Sequence, residues 1–184
     1  MCDLISLSSS CGKTHRPGTK TKLYFTCSCE LADWPAIGTT GADKKEFTEA
    51  FDFTGAPTGK GFWREADILV NTGNISYNLE GELGGQGYKN SVTFFISGSD
   101  KEQLHFADQI RETSGFLVVM LADKKGQLRV IGSKEEPARV ETAEGATGLT
   151  NGERNGTAYT VSDDIGLTAP IYPNSLGVDL IPNT

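Results

Sequence analysis

Histidine is almost missing from this chain: His15 and His105 are the only two among 184 residues. Few imidazoles mean few carriers for general-base catalysis near neutral pH. The G-x-S-x-G signature of a nucleophilic serine does not occur, so hydrolytic chemistry has no obvious seat. No window of about 18 apolar residues exists, which leaves no candidate for a membrane-spanning helix. Proline is scarce, 7 residues against 22 glycines; many glycines mark many tight turns, and so a β-rich chain. Positive charge is in deficit, 17 Lys and Arg against 24 Asp and Glu, for a net charge of -7. Such a surface repels phosphate backbones, so the whole protein is not expected to grip DNA or RNA. Cysteines number 4, all between Cys2 and Cys29, and cannot form a disulfide framework for the long remainder of the chain.

What is present suits a folded, soluble domain: 37% hydrophobic and 22% charged residues, in a chain long enough for one real core. The opening MCDLISLSSSCGK has no basic region ahead of an apolar block, so it does not read as a secretory signal, and folding in a reducing cytoplasm is expected. Residues 1–21 read as a mobile arm, carrying Lys13, His15, Arg16, Lys20 and Pro17-Gly18. Residues 22–184 read as a single β-rich domain with a long irregular segment over 33–61. A loop of that length inside a compact domain is usually functional.

Strand signals dominate from Lys22 onward. KLYFTCSC puts Leu23, Phe25 and Cys27 on one face of a first strand. FWREADILVNT, ISYNLEGEL and YKNSVTFFIS are strand-like runs separated by the turns Asn71–Asn74 and Gly84-Gly85. In the third run Val92, Phe94 and Ile96 alternate against Ser91, Thr93 and Phe95. One helix is expected next, with Ser99 as N-cap and Glu102 completing a capping box. Its apolar stripe is Leu104, Ala107 and Ile110, with Phe106 beside them. FLVVMLAD reads as a buried strand, paired through Asp123–Gly126 with QLRVIG; ARVETA, TAYTVS and GVDLI read as three more. The sum is eight to ten strands and one flanking helix, a mainly β sandwich or barrel.

Each candidate chemistry meets a spacing problem. Gly12-Lys13-Thr14 resembles the end of a phosphate loop, but the required first glycine position is Leu7, and Pro17-Gly18 follows in place of a helix. Cys11, His15, Cys27 and Cys29 are zinc-ligand types, but Cys27 and Cys29 lack the two-residue knuckle, and core packing for Cys27 is the simpler reading. No cofactor or metal is therefore expected. His105 falls mid-helix, where a lone histidine reads as a surface residue. The pairs Glu80/Glu82, Glu135/Glu136 and Asp163/Asp164 read as solvated charge. No enzyme is expected.

Several segments in order carry a resemblance. They are Cys11-Gly12 with the KLYF strand; NTGNISYNLEGELGGQGYKNSVTFFISG; the hairpin ADKKGQLRVIG; then Pro137-Ala138, Thr147-Gly148, Asn155-Gly156 and Pro170-Ile171-Tyr172. This order, over about residues 11–175, resembles tail tube proteins, a family of virion structural proteins in phages and prophages of Bacteroidetes. The resemblance implies two orthogonal sheets with a flanking helix. It implies six protomers closing a ring edge to edge, rings stacking into a hollow conduit for DNA, and partners such as a tape measure and a tail terminator. It also implies assembly in a bacterial cytoplasm, location in the virion tail and no membrane role. The alternative is a head–tail connector or a capsid decoration module. Within this frame Trp34, Phe47, Phe51 and Phe53 are candidate inter-ring contacts, because exposed large aromatics mark interfaces. Asp67, Glu80 and Glu82 are candidate acids of a lumen along which DNA slides as non-binding cargo.

Overall fold

A computed structural model describes residues 21–40, 44–54, 63–123, 126–148, 153–178 and 180. Expectations that fall on residues 1–20, including Cys11 and His15, lie outside the described residues. The fold is mainly β: nine strands in two antiparallel sheets, with one α-helix among the described residues and no closed barrel. The strands are β1 (Lys22–Cys27), β2 (Arg64–Asp67), β3 (Asn74–Glu80), β4 (Gly87–Ser97), β5 (Leu117–Ala122), β6 (Leu128–Ile131), β7 (Arg139–Ala146), β8 (Gly156–Gly166) and β9 (Ile171–Tyr172); the helix α1 (Lys101–Glu112) lies between β4 and β5. One sheet has the order β2-β1-β5-β6-β9, the other β3-β4-β8-β7.

The five-stranded sheet is buried on both faces, and this explains the unbroken apolar run of β5. Leu117, Val119 and Leu121 face the space between the sheets, with Leu23, Phe25 and Cys27 of β1 and Val92, Phe94, Tyr159 and Val161 of the other sheet. Val118, Met120 and Ala122 face the opposite way, into a second core. Strands buried on both faces read as continuous hydrophobic runs, whereas half-buried strands alternate. β4 is of the second kind: Asn90, Val92, Phe94 and Ile96 are buried, and the residues between them are not.

Helix α1 covers the first core from the side. Phe106 meets Phe25 edge-on at 5.5 Å and Tyr159 at 6.0 Å. Burying a phenylalanine this completely is worth roughly 2–3 kcal/mol. The helix starts one residue later than its capping box predicts. Asp100, extended at φ -73 and ψ 170, is the N-cap, not Ser99; aspartate serves as well there, and the two candidates are adjacent. The buried face is Phe106, Gln109 and Ile110, while Leu104 is 59% exposed. The helix rests on the sandwich through its C-terminal half, so the stripe does not extend back to Leu104.

The end of the chain also differs from expectation. Of GVDLI, Leu180 forms a single bridge to Trp63 and Val178 packs on the second core. The last strand among the described residues is β9, whose two residues pair with Leu128 and Arg129. Too short to show a period, it has no signal of its own in the sequence.

Candidate functional site

The two sheets treat their borders differently. At one border of the five-stranded sheet, β9 is lined by segment 45–47: Ile171 N–H donates to the Lys45 carbonyl at 2.8 Å, and Phe47 N–H donates to the Ile171 carbonyl at 3.0 Å. Next to the other border, Trp63 bridges to Leu180. The four-stranded sheet is covered only at the start of β7, where Ala138 bridges to Leu117 of β5 and the Val140 N–H donates to Ser114 Oγ. Among the described residues, no backbone bridge lines the outer side of β3 or of the rest of β7. Five of the seven residues of β3 and seven of the eight of β7 are exposed. Unpaired edge N–H and C=O groups are templates for another strand.

The β3–β4 hairpin ends in an exposed turn that extends beyond the last β4–β8 pair, Tyr88 with Gly166. Ile75 pairs with Val92, Tyr77 with Asn90 and Leu79 with Tyr88. Directly paired residues share a face, so Tyr77, Leu79 and Tyr88 continue the core-facing row. Beyond the core that row is bare: Tyr77 is 60% exposed, Leu79 52%, and Leu83 in the turn 96%. Tyr77 and Tyr88 meet edge-on at 5.8 Å, which stiffens the arm. These four were not singled out by sequence reasoning. The alternation in ISYNLEGEL was the available signal, but it does not say where the opposing sheet stops.

The outer face of the same sheet carries no second layer among the described residues and is mostly uncharged, although Ser162 is buried on it beside Glu141. Ser76, Ser91 and Ser162 stand in one row across three strands, and Asn74, Thr93, Thr160 and Thr142 in the next. Its charges are largely matched. Lys89 lies 3.0 Å from Glu141, and Ser162 Oγ donates to Glu141 at 2.6 Å. Glu141 is held below the usual carboxylate range by the Ser162 and Lys89 hydrogen bonds.

The aromatic segment covers the outer face of the five-stranded sheet. Phe47 and Phe51 are buried, while Trp34 and Phe53 are half-buried. Phe51 stacks on Tyr172 at 5.3 Å and meets Trp63 edge-on at 5.3 Å; Trp34 contacts both Phe47 and Phe51. Within the segment, residues 36–38 pair with 45–48, including the antiparallel bridge Ile37–Phe47. Phe47 and Phe51 thus have no surface to offer a neighbour in this conformation. Residues 55–62 of the segment lie outside the described residues.

The proposed lumen acids are separated. Glu80 is exposed at the end of β3, on the outer face, and Glu82 is exposed in the β3–β4 turn. Asp67 ends β2 in the other sheet, opposite Lys22. Asp163, read as solvated, is buried instead. It accepts from Asn90 Nδ2 at 2.7 Å and from the Gly132 N–H at 2.6 Å. Asn90 in turn accepts from the Ala169 N–H and donates to the Leu167 carbonyl. This network ties the two sheets together. Burial pushes the Asp163 carboxyl up, against the pull of those hydrogen bonds.

No reactive constellation forms among the described residues. His105 is exposed on α1. Cys27 is buried and disulfide-bonded, in place of the reduced thiol expected, and Cys29 is exposed. No group of three or more His, Cys, Asp or Glu could hold a metal there. Among the described residues, no helix is long and apolar enough to cross a membrane. A cleft of about 620 Å³ beside the first turn of α1 is lined by Gly98, Ser99, Gln103, Gly148 and the single carboxylate Glu153. A second recess of about 320 Å³ lies between the aromatic segment and the β8–β9 connection.

No family model, curated protein or solved structure matches this chain.

Proposed function

We propose that the protein is a structural subunit, without enzymatic activity, that assembles with copies of itself into closed rings, and that rings stack as the tube of a phage tail. The observation that carries this reading is the parity of the open sheet. Every neighbouring pair in β3-β4-β8-β7 is antiparallel, so an even number of strands leaves β3 and β7 running in opposite directions. Laying β7 of one copy against β3 of the next continues the antiparallel pattern, with every copy in the same orientation. That is a head-to-tail contact, which closes into a ring when its rotation closes. The five-stranded sheet has an odd count, and segment 45–47 lines β9, so the same operation there would need parallel pairing through an occupied edge.

The uncovered hydroxyl face suits the inside of such a ring. It offers no cluster of cations to hold a phosphate backbone, and Glu80 adds repulsion, so DNA passes as cargo. The six-fold ring, the tape-measure and terminator partners, and the virion location come from the sequence resemblance.

The test is assembly of the purified full chain, followed by sedimentation and negative-stain microscopy from low to high concentration. Rings or hollow tubes are expected. Ala143→Lys on β7 and Tyr77→Lys on β3 each put a charge on an exposed edge strand, the device soluble proteins use against edge pairing. Both variants should keep the wild-type circular dichroism and melting temperature yet remain monomeric. A wild-type protein that stays monomeric throughout, or that only coats capsid shells, overturns the reading in favour of a decoration module.

A further inference from the structure

The second recess has a character that the ring seam does not use. Its walls are Trp34, Ile37, Ile165, Leu167 and Pro170, and its rim carries Lys44 and Lys45. Lys45 is held at φ 70, with its N–H donating to the Gly38 carbonyl at 2.8 Å and its own carbonyl accepting from Ile171. Leu167, on the wall, is 61% exposed. An apolar hollow with two cations at its lip calls for an apolar group flanked by anions.

The tip of the β3–β4 hairpin carries both kinds of group. In Leu79-Glu80-Gly81-Glu82-Leu83 two exposed leucines flank two exposed acids. Leu83, at 96% exposure, is buried against nothing in its own chain. Among the described residues, no ion pair engages Glu80, Glu82, Lys44 or Lys45. Hairpin and recess also share one end of the sheet. Tyr88, where the arm leaves the sandwich, pairs with Gly166, and Ile165 and Leu167 flank that glycine. A neighbour joined through β7 and β3 keeps the same orientation, so its arm arrives at that same end.

We propose that the hairpin tip of one copy seats in the recess of the copy beside it in the ring, with Leu79 and Leu83 in the hollow and Glu80 and Glu82 on Lys44 and Lys45. The inference rests on the self-assembly reading and adds a lateral lock to its backbone seam. The contact is charge-steered and desolvates leucine, so both salt and loss of the apolar anchor weaken it.

The experiment reverses each half. Glu80→Lys/Glu82→Lys and Lys44→Glu/Lys45→Glu, all at accessible side chains, should leave the melting temperature unchanged. Each should raise the protein concentration needed for assembly by about tenfold or more, because like charges then face each other. The fourfold variant, with both halves reversed, should recover assembly. So should an equimolar mixture of the two double variants, in which every tip finds an opposite rim. Leu83→Asp should weaken assembly in all backgrounds. If the folded double variants assemble like wild type, or the fourfold variant fails to recover, the lock is wrong. If Ala143→Lys still blocks assembly in that case, the seam stands without it. If the wild type never assembles, both fall.

Discussion

Asp163 is the residue whose environment departs furthest from its sequence context. It sits next to the exposed Asp164, and an adjacent pair of aspartates reads as solvated charge. Only the fold decides which of the two turns inward, because neighbouring strand residues face opposite ways. The one that does receives Asn90 and the Gly132 N–H from opposite sheets. Gly132 is fixed there for two reasons. Its φ is +87, and a Cβ would lie 2.7 Å from both the Ala138 nitrogen and the Leu117 carbonyl. Burial raises the carboxyl pKa in the folded state, so the native protein holds this proton more tightly than the unfolded chain does. The contribution of Asp163 to stability is then greatest below the unfolded carboxylate value of about 3.9 and declines as pH rises through the folded value. Asp163→Asn removes that titration. Measured by urea unfolding, the stability of wild type minus that of the variant should shrink as pH rises from about 4 toward neutral. A gap that widens over that range would contradict the assignment.

At the scale of elements, most of the strands were legible. Alternation exposed β4, the uninterrupted apolar run exposed β5, and Asp123–Gly126 marked the hairpin to β6. Residues 33–61 were not legible in the same way. Phe47, Phe51 and Phe53 look like interface anchors in isolation, because aromatic residues serve cores and interfaces alike. What decides is the second apolar face of β5, made by Val118, Met120 and Ala122, which needs a cover and takes this segment. The open arm was missed for the converse reason: Tyr77 and Leu79 follow a core pattern that outruns the core. The segment is anchored at its root by Arg64 of β2, which donates to both oxygens of Glu30 at 2.7 and 3.0 Å; Thr26 Oγ1 also donates to Glu30. Arg64→Ala should cost about 2–3 kcal/mol in denaturant unfolding, below the 3–5 typical of a fully buried broken pair, because Glu30 keeps 20% of its side-chain surface in water. A loss under about 0.5 kcal/mol, the range of ordinary surface changes, would mean that the pair does not anchor the segment.

For the whole molecule, the proposed seam has two unlike halves, β7 and β3, and this makes a directional prediction. Ala143→Lys spoils β7 but leaves β3 intact. Such a copy can join the β7 edge of a growing arc and offers no working β7 edge of its own. Mixed at a small fraction with wild type, it should reduce rings and tubes far beyond its share, as read by light scattering and microscopy. A reduction merely proportional to the fraction added would point away from a head-to-tail seam.

The covered borders of the five-stranded sheet have a counterpart in the geometry of growth. Segment 45–47 seals one side of that sheet and Leu180 bridges beside the other, so on the self-assembly proposal growth through backbone pairing would follow a single line of subunits. Two-dimensional sheets and branches would then be denied by the hydrogen bonds that hold residues 45–47 on β9. A mutation that frees that segment, harmless to the seam itself, would therefore turn an orderly loop of copies into a tangle.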